Sequence, residues 1–297
     1  MKFGLVGTAH WSSEIHAPGL ANAPGATFVG VWGRDRNKAA QLAKTHGVKV
    51  YDDFDNLLEE VDAISFAVPP DIQAALGKTA AQRGKHLLLE KPLALTLRDG
   101  EALSESINAS GVRSVIFLSR LFHPKLRSHI AQAAQAQGLT HGRVRIVSNS
   151  MRVLSPYSNS RWRRTPRAAL WDLGPHALSV LQSVLGGVAR INAKFDAKAH
   201  ILLHAHHESG ASSFAELSLT AMDEDLVNDT TFYCSEGEIA LPQIDMINGG
   251  AAEAYQEAIR RLLTADRMAP YCDASYGLQV LRLLTECDEQ LGIFDRP

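Results

Sequence analysis

Short apolar segments alternate with longer helix-type segments through the first 118 residues of this 297-residue chain. The segments expected to form strands are FGLVG (3–7), ATFVGVWG (26–33), DAISFAVP (62–69), HLLLE (86–90) and VRSVIFL (112–118). The helix-type segments between them begin on polar residues such as Asp71 and Thr96 and end on Gly47, Gly84 and Gly111, which are the usual cap signals. This alternation predicts βαβ units and a mostly parallel, doubly wound α/β sheet over residues 1–118.

From residue 119 onward the pattern changes to segments in which polar and apolar residues alternate. These segments are GRVRIVSNSMR (142–152), RINAKFD (190–196), AHILLHAHH (199–207), SSFAELSLTA (212–221) and DTTFYCSEGEIAL (229–241). Helices bracket them, and the best defined lies in WDLGPHALSVLQSVLGG (171–187), with Asp172 and Pro175 in or before its first turn. An α+β domain with a largely antiparallel open sheet is therefore predicted for residues 119–297.

Composition narrows the class of partner. The formal net charge is -2 and acidic and basic residues are interspersed, so we expect neither nucleic acid nor an anionic membrane as a partner, but a small molecule. The three cysteines show no C-x-x-C spacing, which indicates a reducing compartment without a disulfide framework or zinc site. Because the start MKFGLVGTAHW is too short for a signal peptide and no segment reaches membrane-spanning length, a cytoplasmic protein is predicted.

Unusual residues stand at the carboxyl ends of four predicted strands, where parallel α/β sheets bind their ligands. They are Gly7-Thr8-Ala9, Gly33-Arg34, Val68-Pro69-Pro70 and Glu90-Lys91-Pro92. The first turn is a degraded G-x-G-x-x-G fingerprint in which Ala9 replaces the second glycine, although amides at the start of the following helix could still bind a pyrophosphate. A dinucleotide site is one interpretation of this turn, and a tight turn without a ligand is the other.

The end of the second strand bears on the choice of cofactor. A free ribose 2′-hydroxyl is normally met there by a carboxylate, whereas a 2′-phosphate calls for an arginine. Gly33 occupies that place and Arg34 follows, which favours NADP(H) over NAD(H). In the alternative interpretation Arg34 is a solvated loop residue and Asp35 takes the carboxylate role.

Two motifs together carry a resemblance. EKPLA (90–94) follows a strand that is preceded by VPPD (68–71), and WDLGPHALS (171–179) contains D-x-G-x-H spacing. In these motifs, and in His16 and Pro18, the chain resembles the Gfo/Idh/MocA family of NAD(P)-dependent oxidoreductases over about its first 190 residues. It departs from the family pattern at several positions. These positions are Ala9, Gln73, Arg167-Ala168-Ala169 and Ser179.

The resemblance implies the roles of the charged residues. Lys91-Pro92 would be a cis peptide bond that places Lys91 beside the nicotinamide and the substrate hydroxyl, with Glu90 orienting or neutralising the lysine. Asp172 and His176 are four residues apart, so they share a helix face and could act as an acid–base pair. Taken alone, D-x-x-x-H is more typical of a capping aspartate and a surface histidine. With the E-K-P motif present, we predict Lys91, Asp172 and His176 to be catalytic.

The remaining site predictions follow from the strand ends and the resemblance. The cofactor-binding set is Gly7, Thr8, Ala9, His10, Trp11, Gly33, Arg34, Val68, Pro69, Gln73, Glu90 and Lys91. Arg120, Trp162 and Arg163 are candidate substrate contacts, although the loop RWRRTPR (161–167) could equally be a solvated basic loop.

HAHH (204–207) has no third ligand at suitable spacing, so no metal is predicted. We expect its histidines to decorate a sheet face instead. Since such faces mediate oligomers in the family, a homodimer or homotetramer through the C-terminal sheet is expected.

The predicted activity is hydride transfer between NADP(H) or NAD(H) and a carbinol or carbonyl carbon of a sugar, polyol or related small molecule. One alternative is a catalytically silent, dinucleotide-binding regulatory protein of the same fold. Retention of Lys91, Asp172 and His176 argues against it, because a sensor needs no proton relay. Another alternative is a reductase of a non-sugar substrate such as a dihydrodiol or an imine.

Overall fold

The computed structural model describes residues 1–151, 155, 157, 160–265 and 272–294. It divides into two compact units, one formed by Met1–Pro124 with Asp245–Leu281 and the other by Lys125–Ile244 with the chain from Arg282 onward. The first unit thus takes a segment from the C-terminal half of the chain. Arg152, which the sequence placed at the end of a strand, lies outside the described residues.

The first unit is built on a six-stranded sheet in which every neighbouring pair of strands is parallel. The strands are β1 (Lys2–Val6), β2 (Thr27–Trp32), β3 (Lys49–Tyr51), β4 (Ala63–Phe66), β5 (His86–Glu90) and β6 (Ser114–Phe117), in the order β3-β2-β1-β4-β5-β6. The strand order reverses between β1 and β4, which opens a crevice at the carboxyl ends of these two strands. The parallel, doubly wound sheet predicted from the sequence is confirmed.

Helices and shorter helical turns connect and accompany these strands. They are a π-helix (Ser12–His16), α1 (Ala17–Asn22), α2 (Arg36–His46), α3 (Phe54–Glu60), α4 (Pro70–Gln82), α5 (Leu97–Ser110) and α6 (Ser119–Phe122), and later a second π-helix (Met246–Gly250) and α9 (Ala251–Thr264). Three of the predicted caps are present: Thr96 Oγ1 accepts a hydrogen bond from the Asp99 N–H, and Gly47 and Gly111 adopt the left-handed conformation that ends α2 and α5. Asp71 does not cap α4, because it lies within the first turn of that helix. Helix α4 begins at Pro70 rather than at Asp71.

The sequence predicted five strands here and missed β3. This strand has only three residues, so its alternation of exposed and buried side chains is too short to be read as a period. The five predicted strands are all present and supply the core. The middle residues of β5, Leu87, Leu88 and Leu89, are wholly buried, as expected for a central strand of a sheet covered on both faces.

The second unit contains a six-stranded mixed sheet. Its strands are β7 (His141–Val147), β8 (Val188–Phe195), β9 (Ile201–His207), β10 (Ser212–Ser218), β11 (Val227–Cys234) and β12 (Gly237–Ala240), in the order β12-β11-β7-β10-β9-β8. Only β7 and β10 pair in parallel, so the predicted largely antiparallel sheet is confirmed. Helices α7 (Pro124–Ala134) and α8 (Ala168–Leu185), 3-10 turns at Arg161–Arg164 and Asp223–Asp225, and the end of α10 (Ala274–Phe294) complete the unit.

One face of this sheet is buried and the other is open. Along β9, Ile201, Leu203 and Ala205 are buried while His204 and His206 are partly exposed. Helix α8 covers the buried face through β7 and β10. The prediction that the histidines decorate a sheet face is confirmed for His204 and His206, whereas His207 points to the other face and is buried.

The start of α8 differs from the prediction. The helix begins at Ala168 rather than near Asp172, because Ala168, Ala169 and Leu170 favour helix and are buried, so Pro175 lies in the helix interior. Proline has no N–H to donate to the Trp171 carbonyl. Asp172 and His176 are nonetheless both helical and one turn apart on one face, as expected.

None of the helices in the described ranges is both long and apolar enough to cross a bilayer.

Candidate active site

The turn after β1 requires its first glycine. Gly7 has a φ of 127°, and a Cβ there would lie 2.3 Å from the Ala67 carbonyl oxygen and 2.9 Å from Ser12 Oγ. Gly33, at the end of β2, packs so closely on Thr8 that a Cβ would lie 2.6 Å from Thr8 Cγ2. Position 9 differs, because Ala9 is exposed and its methyl group is accommodated without crowding the turn from inside. The turn therefore keeps its tight geometry without the second fingerprint glycine.

Among the residues that follow β2, Asp35 and Arg36 make structural contacts, whereas Arg34 is exposed. Asp35 caps α2 by accepting a 3.1 Å hydrogen bond from the Lys38 N–H, which lowers the pKa of its carboxyl group. Arg36 is paired with Asp52. Arg34 is exposed. The carboxylate that could have served a ribose hydroxyl is thus occupied at a helix start, and the arginine beside it faces solvent.

Glu90, at the end of β5, holds two side chains of the first helical segment. Its Oε1 accepts hydrogen bonds from Trp11 Nε1 at 2.8 Å and lies 3.1 Å from His16 Nε2. Its Oε2 accepts from the main-chain N–H of Lys91 at 3.2 Å. We predicted that Glu90 orients the lysine, and this hydrogen bond joins the Glu90 carboxylate directly to the backbone of Lys91. The carboxylate also joins the fingerprint turn, through Trp11, to the end of β5.

Gln73 fixes the same strand end from the other side. It is wholly buried, its Nε2 donates to the Glu90 carbonyl at 2.7 Å, and its Oε1 accepts from the Glu90 N–H at 2.7 Å. Longer contacts of 3.3 Å reach the carbonyls of Pro92 and Leu93. Contact of Gln73 with the cofactor stays a prediction, and in the structure both ends of its amide bind the backbone of residues 90–93.

The Lys91–Pro92 peptide bond is cis, as the family resemblance implied. Val68 and Pro69 follow β4 and are partly exposed beside the buried Pro70 that opens α4. His10 is exposed at the start of the first helical segment. The first unit therefore contains the whole predicted cofactor-binding set, at the ends of β1, β2, β4 and β5.

Three buried residues behind Glu90 were not fully anticipated. His16 Nδ1 lies 2.8 Å from Ser65 Oγ, Ser65 Oγ lies 2.6 Å from Tyr255 OH, and Tyr255 OH lies 3.1 Å from His16 Nδ1. All three residues are wholly buried. The family motif drew attention to His16. No local pattern points to Ser65 or Tyr255, which are 190 residues apart in sequence.

In the second unit Asp172 is paired with an arginine of the preceding loop. Arg163 Nε donates to Oδ2 at 2.8 Å and its terminal nitrogen to Oδ1 at 3.0 Å, which is a bidentate pair. The guanidinium group stacks on the Trp162 ring at 4.2 Å and on the Tyr157 ring at 4.9 Å. Two candidate substrate residues, Trp162 and Arg163, are thus brought to the predicted catalytic aspartate, and His176 lies one turn further along α8 and is partly exposed. The side chain of Arg161 lies outside the described part of the loop.

Arg120, the third substrate candidate, lies in α6 of the first unit. Burial lowers the pKa of its guanidinium group to about 10. The side chain therefore remains cationic at neutral pH.

A cluster of ligand-type side chains in the second unit escaped the sequence analysis. Ligand atoms of Asp196, His200 and Glu216 lie within 4.8 Å of one another. Glu216 also accepts a 2.7 Å hydrogen bond from Arg145. The positive charge of Arg145 disfavours binding of a metal cation at the same carboxylate. Glu216 lies 2.9 Å from His200 Nδ1 as well, so we describe the cluster as an ion-pair network.

Comparison with known proteins agrees with this arrangement. Residues 1–117 match the GFO_IDH_MocA family model, described as an oxidoreductase family with an NAD-binding Rossmann fold. The N-terminal domain belongs to the Gfo/Idh/MocA oxidoreductases.

Two curated relatives illustrate the range of this family. An uncharacterized oxidoreductase of Rhizobium meliloti is 27% identical over 189 residues, which cover 62% of this chain and 56% of the relative. A dTDP-3,4-didehydro-2,6-dideoxy-alpha-D-glucose 3-reductase of Streptomyces violaceoruber is 28% identical over 197 residues, covering 64% of this chain and 56% of the relative. The chain thus spans a little over half the length of both.

The solved structure of GenD2 from gentamicin A biosynthesis, in complex with NAD, superposes with a TM-score of 0.83 at 18% identity. The match covers 98% of this chain and 94% of GenD2. At this level of identity the likeness shows the fold.

Within the Gfo/Idh/MocA frame the geometry indicates which chemistry the first unit can support. A helical segment follows the Gly7 turn, and N–H groups at a helix start can bind phosphate oxygens. The end of β5 carries a lysine on a backbone held by Gln73 and Glu90. Preorganised donors of this kind stabilise charge that develops on a substrate oxygen.

Proposed function

We propose that this protein is a dehydrogenase or reductase that prefers NADP(H) to NAD(H) and acts on a CH–OH group of a sugar, a polyol or a related small molecule. One observation carries the proposal. The Glu90 carboxylate binds Trp11 of the dinucleotide turn and the backbone N–H of Lys91, so the turn and the lysine-bearing strand end form one fixed assembly.

The residues present fit a nicotinamide dinucleotide. Gly7 and Gly33 keep the turn and the end of β2 close enough for a cofactor to lie against backbone, and Ala9 is exposed rather than packed into the turn. When bound, the nicotinamide would donate or accept the hydride. The proposed preference of the protein for a cofactor with a 2′-phosphate is supported by the exposed Arg34 and by the use of Asp35 as a helix cap.

Each catalytic candidate is proposed for a role that its chemistry allows. Lys91 donates a hydrogen bond to the substrate oxygen and stabilises negative charge developing there. His176 removes the hydroxyl proton in oxidation and returns it in reduction. Asp172 positions the substrate, and Arg163 holds its carboxylate through the bidentate pair.

The substrate class draws support from the relatives. The Streptomyces violaceoruber relative is named as a reductase of a dTDP-linked deoxysugar. A non-sugar substrate such as a dihydrodiol fits the same residues, so a screen of polyols, aldoses, nucleotide sugars and dihydrodiols separates the two classes. No observation favours the catalytically silent regulator.

The open face of the second sheet supports a homodimer or homotetramer. Phe214 is 46% exposed on this face, and its ring lies 5.4 Å from that of His204. An apolar ring exposed on a regular sheet face is a candidate contact for another copy of the chain. Light scattering of the wild type and of Phe214→Glu tests this assignment, which requires the variant to dissociate.

A cytoplasmic location is proposed on the state of the cysteines. In the described part of the chain, no disulfide bond joins Cys234, Cys272 or Cys287. Cysteines that form no disulfide are usual in a reducing compartment.

Fluorescence titration with NADPH and, in parallel, NADH tests the proposed cofactor. We expect NADPH to bind at least about tenfold more tightly, as a charge-assisted contact to the 2′-phosphate would require. A preference for NADH would remove the role given to Arg34 and leave the oxidoreductase. Binding of neither cofactor would remove the proposed function.

A further inference from the structure

A continuous chain of hydrogen bonds leads from helix α9 of the first unit to the strand end that carries Lys91. Its members are Tyr255 of α9, Ser65 of β4, His16 of the π-helix and Glu90 of β5. The first three are wholly buried, and the side chain of Glu90 is 12% exposed. Four separate elements are therefore joined by side-chain polar groups in the interior of the unit.

The direction of this chain follows from the chemistry of its ends. An ionised carboxylate only accepts hydrogen bonds, so His16 Nε2 must carry the proton that points to Glu90. In a neutral imidazole Nδ1 is then an acceptor. It accepts a hydrogen bond from the Ser65 hydroxyl, with Oγ 2.8 Å from Nδ1. Ser65 Oγ in turn accepts from Tyr255 OH at 2.6 Å. Burial raises the pKa of the Tyr255 phenol, which keeps it protonated as the first donor.

We propose that Tyr255 and Ser65 are positioning residues that hold His16 in its Nε2–H tautomer, so that His16 and Trp11 together fix Glu90 and the cis Lys91–Pro92 segment beside it. The part of this inference that concerns turnover rests on the proposed function. The part that concerns the tautomer does not.

The surroundings of Tyr255 indicate that its place is built for this ring. A Cβ on Gly19 would lie 2.3 Å from Tyr255 Cδ1, so only glycine leaves room at that position of α1. The neighbouring Gln256 binds the Gly19 carbonyl at 2.9 Å, and Phe117 packs edge-on against the tyrosine ring at 5.1 Å. The phenol therefore has one available position, with its hydroxyl directed at Ser65 and His16.

A purely structural role makes a different prediction from a positioning role. If the hydroxyl groups merely satisfy one another, their removal lowers stability and leaves the tautomer of His16 and the rate per folded molecule unchanged. If they fix His16, removing both hydroxyl groups releases the imidazole from its contact with Glu90. A released neutral imidazole carries its proton on either ring nitrogen, and Glu90 loses a donor. The two roles are separated by measuring the tautomer and the rate on folded protein.

The test uses the double variant Tyr255→Phe/Ser65→Ala, because either hydroxyl alone still lies within 3.1 Å of His16 Nδ1. Tyr51→Phe is the matched control. Tyr51 is a buried tyrosine of the same unit whose hydroxyl is outside this chain of hydrogen bonds. Long-range 1H–15N NMR of the full chain, with the His16 signals identified by their loss in His16→Gln, reports the tautomer. Turnover across a range of pH and NADPH affinity are measured on the same samples, at a temperature where circular dichroism shows each variant folded.

We expect Nε2–H at His16 in the wild type and in Tyr51→Phe, and a substantial Nδ1–H population in the double variant. The rate constant kcat should fall by about tenfold in the double variant, with an altered pH profile, while NADPH affinity stays within about twofold. If the double variant does not fold, Ser65→Ala decides the matter, because it leaves only the longer 3.1 Å contact from Tyr255 and should show the same changes to a smaller extent.

Two results would overturn the inference: an Nδ1–H tautomer in the wild type, or wild-type kcat and an unshifted pH profile in the folded double variant or, where that variant does not fold, in Ser65→Ala. Failure of the proposed function looks different. In that case the wild type turns over no substrate in the screen, or Lys91→Met is fully active, and the NMR comparison still decides whether the hydroxyl groups set the tautomer.

Discussion

The indole Nε1 of Trp11 and the carboxylate of Glu90 are joined by a 2.8 Å hydrogen bond across 79 residues of sequence. Trp11 belongs to the turn where the dinucleotide fingerprint is degraded, and Glu90 precedes the proposed catalytic lysine. The tryptophan therefore couples the turn to the strand end.

Removing the indole N–H should weaken this coupling. We expect Trp11→Phe to lower the free energy of unfolding by about 1–2 kcal/mol, since a hydrogen bond to a charged acceptor is lost. The effect should shrink in a Glu90→Gln background, because the two side chains contact one another. Urea unfolding, monitored by circular dichroism, gives the free energies of this double-mutant cycle. The control is Trp32→Phe, whose ring packs on Phe54 and whose effect should add to that of Glu90→Gln. Additivity for Trp11 would contradict the coupling.

Arg163 should matter through its fork-shaped group rather than its charge. In Arg163→Lys the positive charge stays but the bidentate pair with Asp172 is lost, so we expect kcat/KM to fall by about tenfold or more. The matched control is Arg164→Lys, since Arg164 is the next residue and is exposed. Steady-state kinetics of both variants make the comparison, and equal activity in the two would remove Arg163 from the positioning of Asp172.

Arg34 should discriminate between the two cofactors. Its removal in Arg34→Ala is expected to raise the Kd for NADPH by about tenfold to a hundredfold, with the Kd for NADH nearly unchanged. Arg36→Ala serves as the control, because that side chain is engaged with Asp52. Fluorescence titrations suffice. Parallel losses of NADPH and NADH affinity would show that Arg34 acts on the turn as a whole.

His207 should make the fold sensitive to mild acid. The residue is 4% exposed, with Nδ1 donating to the Gly186 carbonyl and Nε2 accepting from Ser213, and burial lowers its pKa below the ordinary value of 6.5. Between the lowered pKa and 6.5 the unfolded chain binds more protons than the folded one, so stability falls as pH decreases through this window.

Thermal unfolding of wild type and His207→Gln between pH 7.5 and 5 measures this contribution. The variant should be less stable at neutral pH but lose less stability on acidification, because it no longer carries the titrating group. His141→Gln, at an exposed histidine, should keep the wild-type slope. A variant slope as steep as that of the wild type would assign the acid sensitivity to other groups.

Much of the first unit could be predicted because its signals are local. The apolar runs, the cap at Thr96 and the left-handed glycines after α2 and α5 depend on neighbours within a few residues, and the structure confirms them. The three-residue strand β3 could not be found, since so short a segment has no measurable period.

The contacts that define the candidate site were less accessible. Arg163 and Asp172 are nine residues apart, yet their pairing depends on a helix that begins earlier than its proline suggests. Tyr255 lies in an amphipathic helix where its spacing is that of an ordinary core residue, and only the folded chain brings it to Ser65 and His16. Non-local polar contacts of this kind leave no periodic trace in a single sequence.

Turnover by Lys91→Met tests the central claim most directly. Methionine has a similar length and no charge, so the variant should fold and bind NADPH within about twofold of the wild type, while kcat falls by roughly a thousandfold, as expected when a preorganised donor to a developing oxyanion is removed. Turnover of the substrate found in the screen gives kcat, and NADPH titration of the same sample gives the cofactor affinity. A Lys91→Met protein that binds cofactor and turns over at the wild-type rate would contradict the account.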